Sequence, residues 1–339
     1  MNKQTALNTC FPGNFVWRVQ DHHLPFPKTN TNKQALLMLA TVVGIVFVPA
    51  KMGYSQGLVY VPNSTKRVCQ LTGDFDRTTR MPTINQTKKR FGVVATDLGY
   101  SFEHKGQLYF LFGDTWGRRG AWDAVAWTNS QDPQKIRLEF HRGKDGKWIP
   151  PKVPGISQKA FEIPSGGFSL GDTMYVVFTT DHSPKKVMGR SVLCLSHDDG
   201  KNFQRLYELS RDKFINVSFW SVGGWLYICG SGEYRKSSPY LARVRPKKIQ
   251  DRSSIQYFAG RNAKGKVTWS PEETDATRLF RHDVIGEFSI AYLEPVKRYV
   301  MLYGSSKPRG ITMRSAKTLW GPWSKGTVVF EPRRDKGYG

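Results

Sequence analysis

The chain has 339 residues, 39% of them hydrophobic and 13% aromatic, which is material for one large domain with a sizeable core. Its net charge of +24 is spread through turns (Lys88-Lys89-Arg90, Lys185-Lys186, residues 243–248, Arg333-Arg334) with no zinc-finger spacing or RNP-type signature. That distribution argues against a nucleic-acid partner and for a solvated basic surface or attraction to an anionic envelope polymer. Four cysteines, with Cys10 ahead of the apolar leader, make no disulfide framework and show no metal-ligand spacing.

The first predicted element is the 16-residue apolar run ALLMLATVVGIVFVPA at 35–50, with Lys33 just before it. Val48-Pro49-Ala50 places small or permissive residues at a cleavage position. This is the shape of a secretory signal, and it is short for a membrane span. The polar stretch ahead of it is unusual, and an uncleaved anchor is the alternative. The expected organisation is a leader with signal peptide or anchor over 1–55 and a single domain over 56–339. The expected location is secreted or periplasmic, with membrane contact only through an uncleaved leader.

From Gly92 onward one pattern returns: a strand, a tight turn, an apolar-aromatic strand, then another strand. The second strands are QLYFLF at 107–112, TMYVVF at 173–178, WLYIC at 225–229 and RYVMLY at 298–303. Their tyrosines Tyr109, Tyr175, Tyr227 and Tyr299 are 66, 52 and 72 residues apart. Irregular repeats of this size, each with three or four antiparallel strands, read as propeller blades. Four are visible, and a fifth is expected from residues 67–71 with segments near the C-terminus. The expected class is all-β, a five-bladed β-propeller of antiparallel blades, against a β-sandwich of equal strand count. SHDDGKNF at 196–203 matches the Asp-box turn of sialidase-type propellers, and WGPWS at 320–324 is a turn flanked by indoles. Both concern architecture only.

The carboxylates carry the chemistry. In the first hairpin, with its turn centred on Lys105, paired residue numbers sum to about 210 or 211, so Asp97 faces position 113 or 114. Asp97 and Asp114 therefore reach the open end of one hairpin together. Directly opposed side chains have Cβ atoms roughly 4.5–5.5 Å apart, where like charges destabilise a sheet. Glycosidic hydrolysis uses such a pair: one carboxyl protonates the leaving oxygen while another attacks or activates water, roughly 5–9.5 Å away. Turn capping by the two aspartates is the structural alternative. Glu287 stands twelve residues before Tyr299, as Asp97 does before Tyr109, and is expected to point into the channel. Asp181 follows its strand much as Asp114 does, and Trp116, Trp220 and Tyr234 are candidates for stacking on sugar faces.

FGVVATDLG at 91–99, LYFLFGDTW at 108–116, IPSGG at 163–167, SPYLARV at 238–244 and GEFS at 286–289 resemble the endo-D-arabinofuranase family. This is glycoside hydrolase family 183, formerly domain of unknown function 4185, whose members look like five-bladed propellers. The similarity runs over about residues 91–332. It implies endo-hydrolysis of α-D-arabinofuranosyl links in envelope arabinan, with the family's catalytic aspartates carried over to Asp97 and Asp114. Asp181, Glu287, Trp116, Trp220 and Tyr234 are then expected on the substrate. Such chemistry requires no cofactor and no metal. The expected partner is polysaccharide rather than nucleic acid, met by a monomer. The chief rival is a non-catalytic propeller that binds acidic glycan. A sialidase is weaker, because its arginine triad and Tyr–Glu pair are not placed by the sequence.

Overall fold

The computed structural model describes residues 58–117 and 122–335, together with a two-residue strand pair, β1 (Cys10–Phe11) and β2 (Phe15–Val16). The apolar run at 35–50, on which the export expectation rests, lies outside the described residues.

The repeat unit is a hairpin whose turn suits the twist of its strands. Lys105 and Gly106 both have positive φ (50° and 76°), as do Gly223 and Gly224 (59° and 73°). Two such residues form the turn that joins right-twisted strands without splaying them. The first turn joins β3 (Ala95–His104) to β4 (Gln107–Trp116), with His104 opposite Gln107. β5 (Trp122–Thr128) and β6 (Glu139–Phe140) complete that sheet. The second sheet holds β7 (Pro164–Leu170), β8 (Thr173–Thr180), β9 (Arg190–Ser196) and β10 (Gln204–Ser210). The third holds β11 (Asn216–Val222), β12 (Trp225–Ser231), β13 (Pro239–Val244), β14 (Gln256–Arg261) and β15 (Val267–Ser270). The fourth holds β16 (Ile285–Leu293), β17 (Arg298–Ser306), β18 (Arg309–Ala316) and β19 (Thr327–Phe330). All pairings are antiparallel, and each sheet steps from an inner strand outward. This is an all-β propeller.

The inner strands β3, β7, β11 and β16 are successive neighbours. The approach of β7 to both sides needs bare backbone. A Cβ on Gly166 would lie 2.5 Å from the Val217 carbonyl oxygen, and one on Gly167 would lie 2.6 Å from the Phe102 ring. The repeating tyrosines each face an aromatic residue on the inner strand: Phe102 with Tyr109, Phe168 with Tyr175, Trp220 with Tyr227 and Tyr292 with Tyr299. These rings fill the gaps between blades; Phe168 and Tyr175, for example, stack with centroids 5.0 Å apart. Tyr100 of β3 spans the axis: its hydroxyl accepts the Phe219 N–H at 3.1 Å and lies 3.4 Å from the Ser218 hydroxyl on β11. Ser218 in turn accepts the Ile290 N–H of β16. The Asp-box turn forms as expected, with the Ser196 hydroxyl on Asp198 at 2.8 Å and Phe203 buried against Phe178.

Besides the β1–β2 pair, the described residues form four blade sheets, not the five expected. Residues 67–71 are not a strand, and β19, near the C-terminus, is the outer strand of the fourth sheet. Residues 58–94 instead run from the last blade to the first. Tyr60 and Thr65 bond the Val329 carbonyl, and Leu71, Phe91 and Val93 are buried in the first blade's core. The short helix α1 (Thr87–Phe91) and a bridge between Phe75 and Pro82 are the regular structure of this segment. Its burial is made by side chains, so it has no ladder to count as a blade.

Candidate active site

The first residues of inner strands and the last residues of their partners meet at one mouth of the ring. Asp97 pairs with Gly113, in the expected register, and the ladder shifts on both sides of it. Such irregularities re-aim a side chain out of the regular pleat. Asp114, next along β4, has left-handed backbone (φ 38°). Its Oδ1 accepts the Phe161 N–H at 3.3 Å. Burial pushes the Asp114 carboxyl above its usual range, and the Asp97 charge adds to that; the Phe161 N–H and His182 pull the other way.

Behind Asp114 stands an acid the sequence reading missed. Asp123 of β5 is fully buried, and its Oδ2 accepts one hydrogen bond, from Gln158 at 2.9 Å. Burial raises its carboxyl far above the ordinary range, helped by the charges of Asp114 and Glu162. Glu162, also missed, is buried and accepts the backbone N–H groups of Lys159 at 2.8 Å and His182 at 3.0 Å. It fixes the loop that brings Phe161 to Asp114. Its partners are a local turn and a residue twenty positions away, so no periodic signal marked it.

On the other side lies Glu287 of β16. It stands five residues before Tyr292, which faces Tyr299, as Asp97 stands five before Phe102, which faces Tyr109. The alignment expected from sequence thus holds in the strands. Burial raises the Glu287 carboxyl, opposed by Arg235 and by a hydrogen bond with the Tyr234 hydroxyl, while Asp97 raises it further. Its Oε2 is buried without a hydrogen-bond partner. Tyr234 is driven upward by burial and by Glu287, and the Arg235 guanidinium lies 4.8 Å from its ring centroid. The equivalent positions of the second and third blades are Ile163 and Ile215, which pack together with Met188 and the partly buried Tyr234. The mouth therefore sets acids against an apolar wall.

Of the expected site residues, Asp97, Asp114, Tyr234 and Glu287 come together. Trp116 ends β4 with 60% of its surface exposed. Asp181 follows β8, exposed at the rim, but its carboxylate is taken by Arg190 at 2.7 Å, which also holds Glu208. Trp220 is not brought to the mouth. It lies further along β11, edge-on to Tyr299 and within the core between the third and fourth blades, as the aromatic partner of a repeating tyrosine. Among the described residues no group of three His, Cys, Asp or Glu is arranged to hold a metal. What the arrangement can do is keep a proton on one carboxyl beside a second carboxyl.

Residues 83–339 match the family described as Domain of unknown function (DUF4185). The chain belongs to this family. Among curated relatives, this DUF4185 chain is similar to Notoamide biosynthesis cluster protein J of Aspergillus sp. (strain MF297-2), 25% identical over 293 residues that cover 74% of this chain and 75% of that protein. Among solved structures it is similar to a Bacteroides ovatus ATCC 8483 protein provisionally assigned as a hydrolase, with TM-score 0.52, 11% identity and 72% of each chain covered. That likeness concerns the fold. An exo-beta-1,3-galactanase from Phanerochaete chrysosporium aligns with TM-score 0.47 and 10% identity over 77% of this chain and 54% of that one.

Proposed function

We propose that this chain is a glycoside hydrolase that uses Asp114 as the acid and Asp97 as the base or nucleophile. The observation that carries the reading is the Asp114 carboxyl, raised by burial and by its Asp97 neighbour, at the mouth of a propeller channel. Of the two aspartates, a carboxyl raised in this way is the better suited to carry a proton and deliver it to a leaving oxygen. The substrate class follows from the resemblance of residues 91–332 to endo-D-arabinofuranases, a reading that the DUF4185 match over 83–339 supports. The substrate is then the α-D-arabinofuranosyl backbone of envelope arabinan, cut internally. Export through the segment at 35–50 would bring the enzyme to it, and the net charge of +24 suits an anionic envelope.

A second reading is a non-catalytic propeller that binds acidic glycan, which the net charge of +24 would suit. Incubation of the purified protein with arabinogalactan and other glycans separates the two. Release of oligosaccharides by the wild type, lost in both Asp97→Asn and Asp114→Asn with folding intact, supports the hydrolase. Binding that survives both changes, with no product from any glycan, supports the binder.

A further inference from the structure

Ten described non-glycine residues have left-handed backbone, and Asp114, Phe161, Asp181 and Arg235, four of them, surround this mouth. Phe161 is the one apolar residue in that set. A bulky side chain at φ 65° is held against its steric preference, and such outliers persist where the surroundings over-determine them. The surroundings here are specific. The Phe161 N–H donates to Asp114, its carbonyl accepts the Thr179 hydroxyl at 3.3 Å, and the following Glu162 is anchored through Lys159 and His182. None of this buries the ring: 44% of the residue is exposed. One face stacks on the His182 imidazole, centroids 4.9 Å apart and planes at 29°. That imidazole is itself fixed, its Nδ1 donating to the Val187 carbonyl at 2.6 Å.

A strained backbone that lifts an aromatic ring towards solvent adds nothing to a core. A flat apolar face on a residue whose backbone N–H donates to the Asp114 carboxyl suits the C–H face of a sugar ring. We propose that the Phe161–His182 stack is a sugar platform, seating the monosaccharide unit that adjoins the linkage protonated by Asp114. The assignment rests on the hydrolase reading and adds to it a residue that sets affinity.

The test uses an arabinofuranosyl oligosaccharide with the full chain carrying Phe161→Gly, Phe161→Leu or Phe161→Tyr. Glycine accepts the left-handed backbone and deletes the ring, leucine keeps apolar bulk without a flat face, and tyrosine keeps the ring. Expected are a KM raised roughly tenfold for Gly and Leu, kcat little changed, and near wild-type values for Tyr. The thermal midpoint of the Gly variant should be unchanged or higher. In an Asp97→Asn background the same oligosaccharide, titrated calorimetrically, should lose affinity by the same factor on Phe161→Gly. A wild-type KM in the Leu variant, or a sharp fall in the midpoint of the Gly variant, would show a packing residue and overturn the platform while leaving the hydrolase intact. A wild type that neither binds nor cleaves the oligosaccharide overturns the hydrolase reading, and the platform with it.

Discussion

At the scale of single residues, three carboxyls of the site, Asp114, Asp123 and Glu287, are pushed upward by burial, with neighbouring acidic charges adding to it. Asp123 shows the cost most plainly. It is buried with one neutral donor, and its carboxyl lies far above the ordinary range. A carboxyl raised in the folded state favours folding less as pH climbs from its unfolded value, about 3.9, towards its folded one. Asp123→Asn should therefore raise the thermal midpoint at neutral pH, with the gain shrinking as pH falls towards about 4 and absent below it; calorimetry at several pH values checks this. If it also reduces hydrolysis, Asp123 supports the protonation of Asp114. Asp97, Asp114 and Glu287 were legible because each ends or begins a patterned strand. Asp123, Glu162 and Phe161 were not, because their meaning comes from loop partners such as Gln158, 35 residues from Asp123. Asp181 is legible as a position, but its pairing with Arg190, nine residues on across the rim, leaves no pattern in the sequence.

At the scale of elements, strand pairing carried the most information. Numbers that sum to about 210 or 211 placed Asp97 opposite position 113 or 114, and it pairs with Gly113. The repeating tyrosines located the second strand of all four blades, but the ring facing each tyrosine was not read as part of the same repeat. Reading it would have sorted Trp220 into the core. The glycine pair of the IPSGG segment owes its place to close approach between blades. Gly166→Ala must move the backbone at Val217, and Gly167→Ala must displace Phe102. Each should destabilise by about 1–3 kcal/mol, with the larger loss at Gly166 because a carbonyl yields less than a ring; urea denaturation measures both.

For the whole molecule, the closing of the ring is the feature that sequence pattern misjudged. A fifth sheet was expected from residues 67–71 and the C-terminal region. The link is instead made by side chains, with Tyr60 and Thr65 on the Val329 carbonyl and Leu71 in the first blade's core. Such contacts have no periodicity to read. Tyr60→Phe combined with Thr65→Val should cost roughly 1–2 kcal/mol in denaturant unfolding. A null result would mean the strap is incidental to closure. The proposed acid role of Asp114 depends on its carboxyl being raised by burial and by Asp97, and a carbon-13 carboxyl titration of Asp114 in wild type and in Asp97→Asn measures that without any substrate. The expected midpoint lies above the ordinary aspartate value of about 3.9 in the wild type and moves down when Asp97 loses its charge. An ordinary midpoint that the substitution leaves in place would contradict that role.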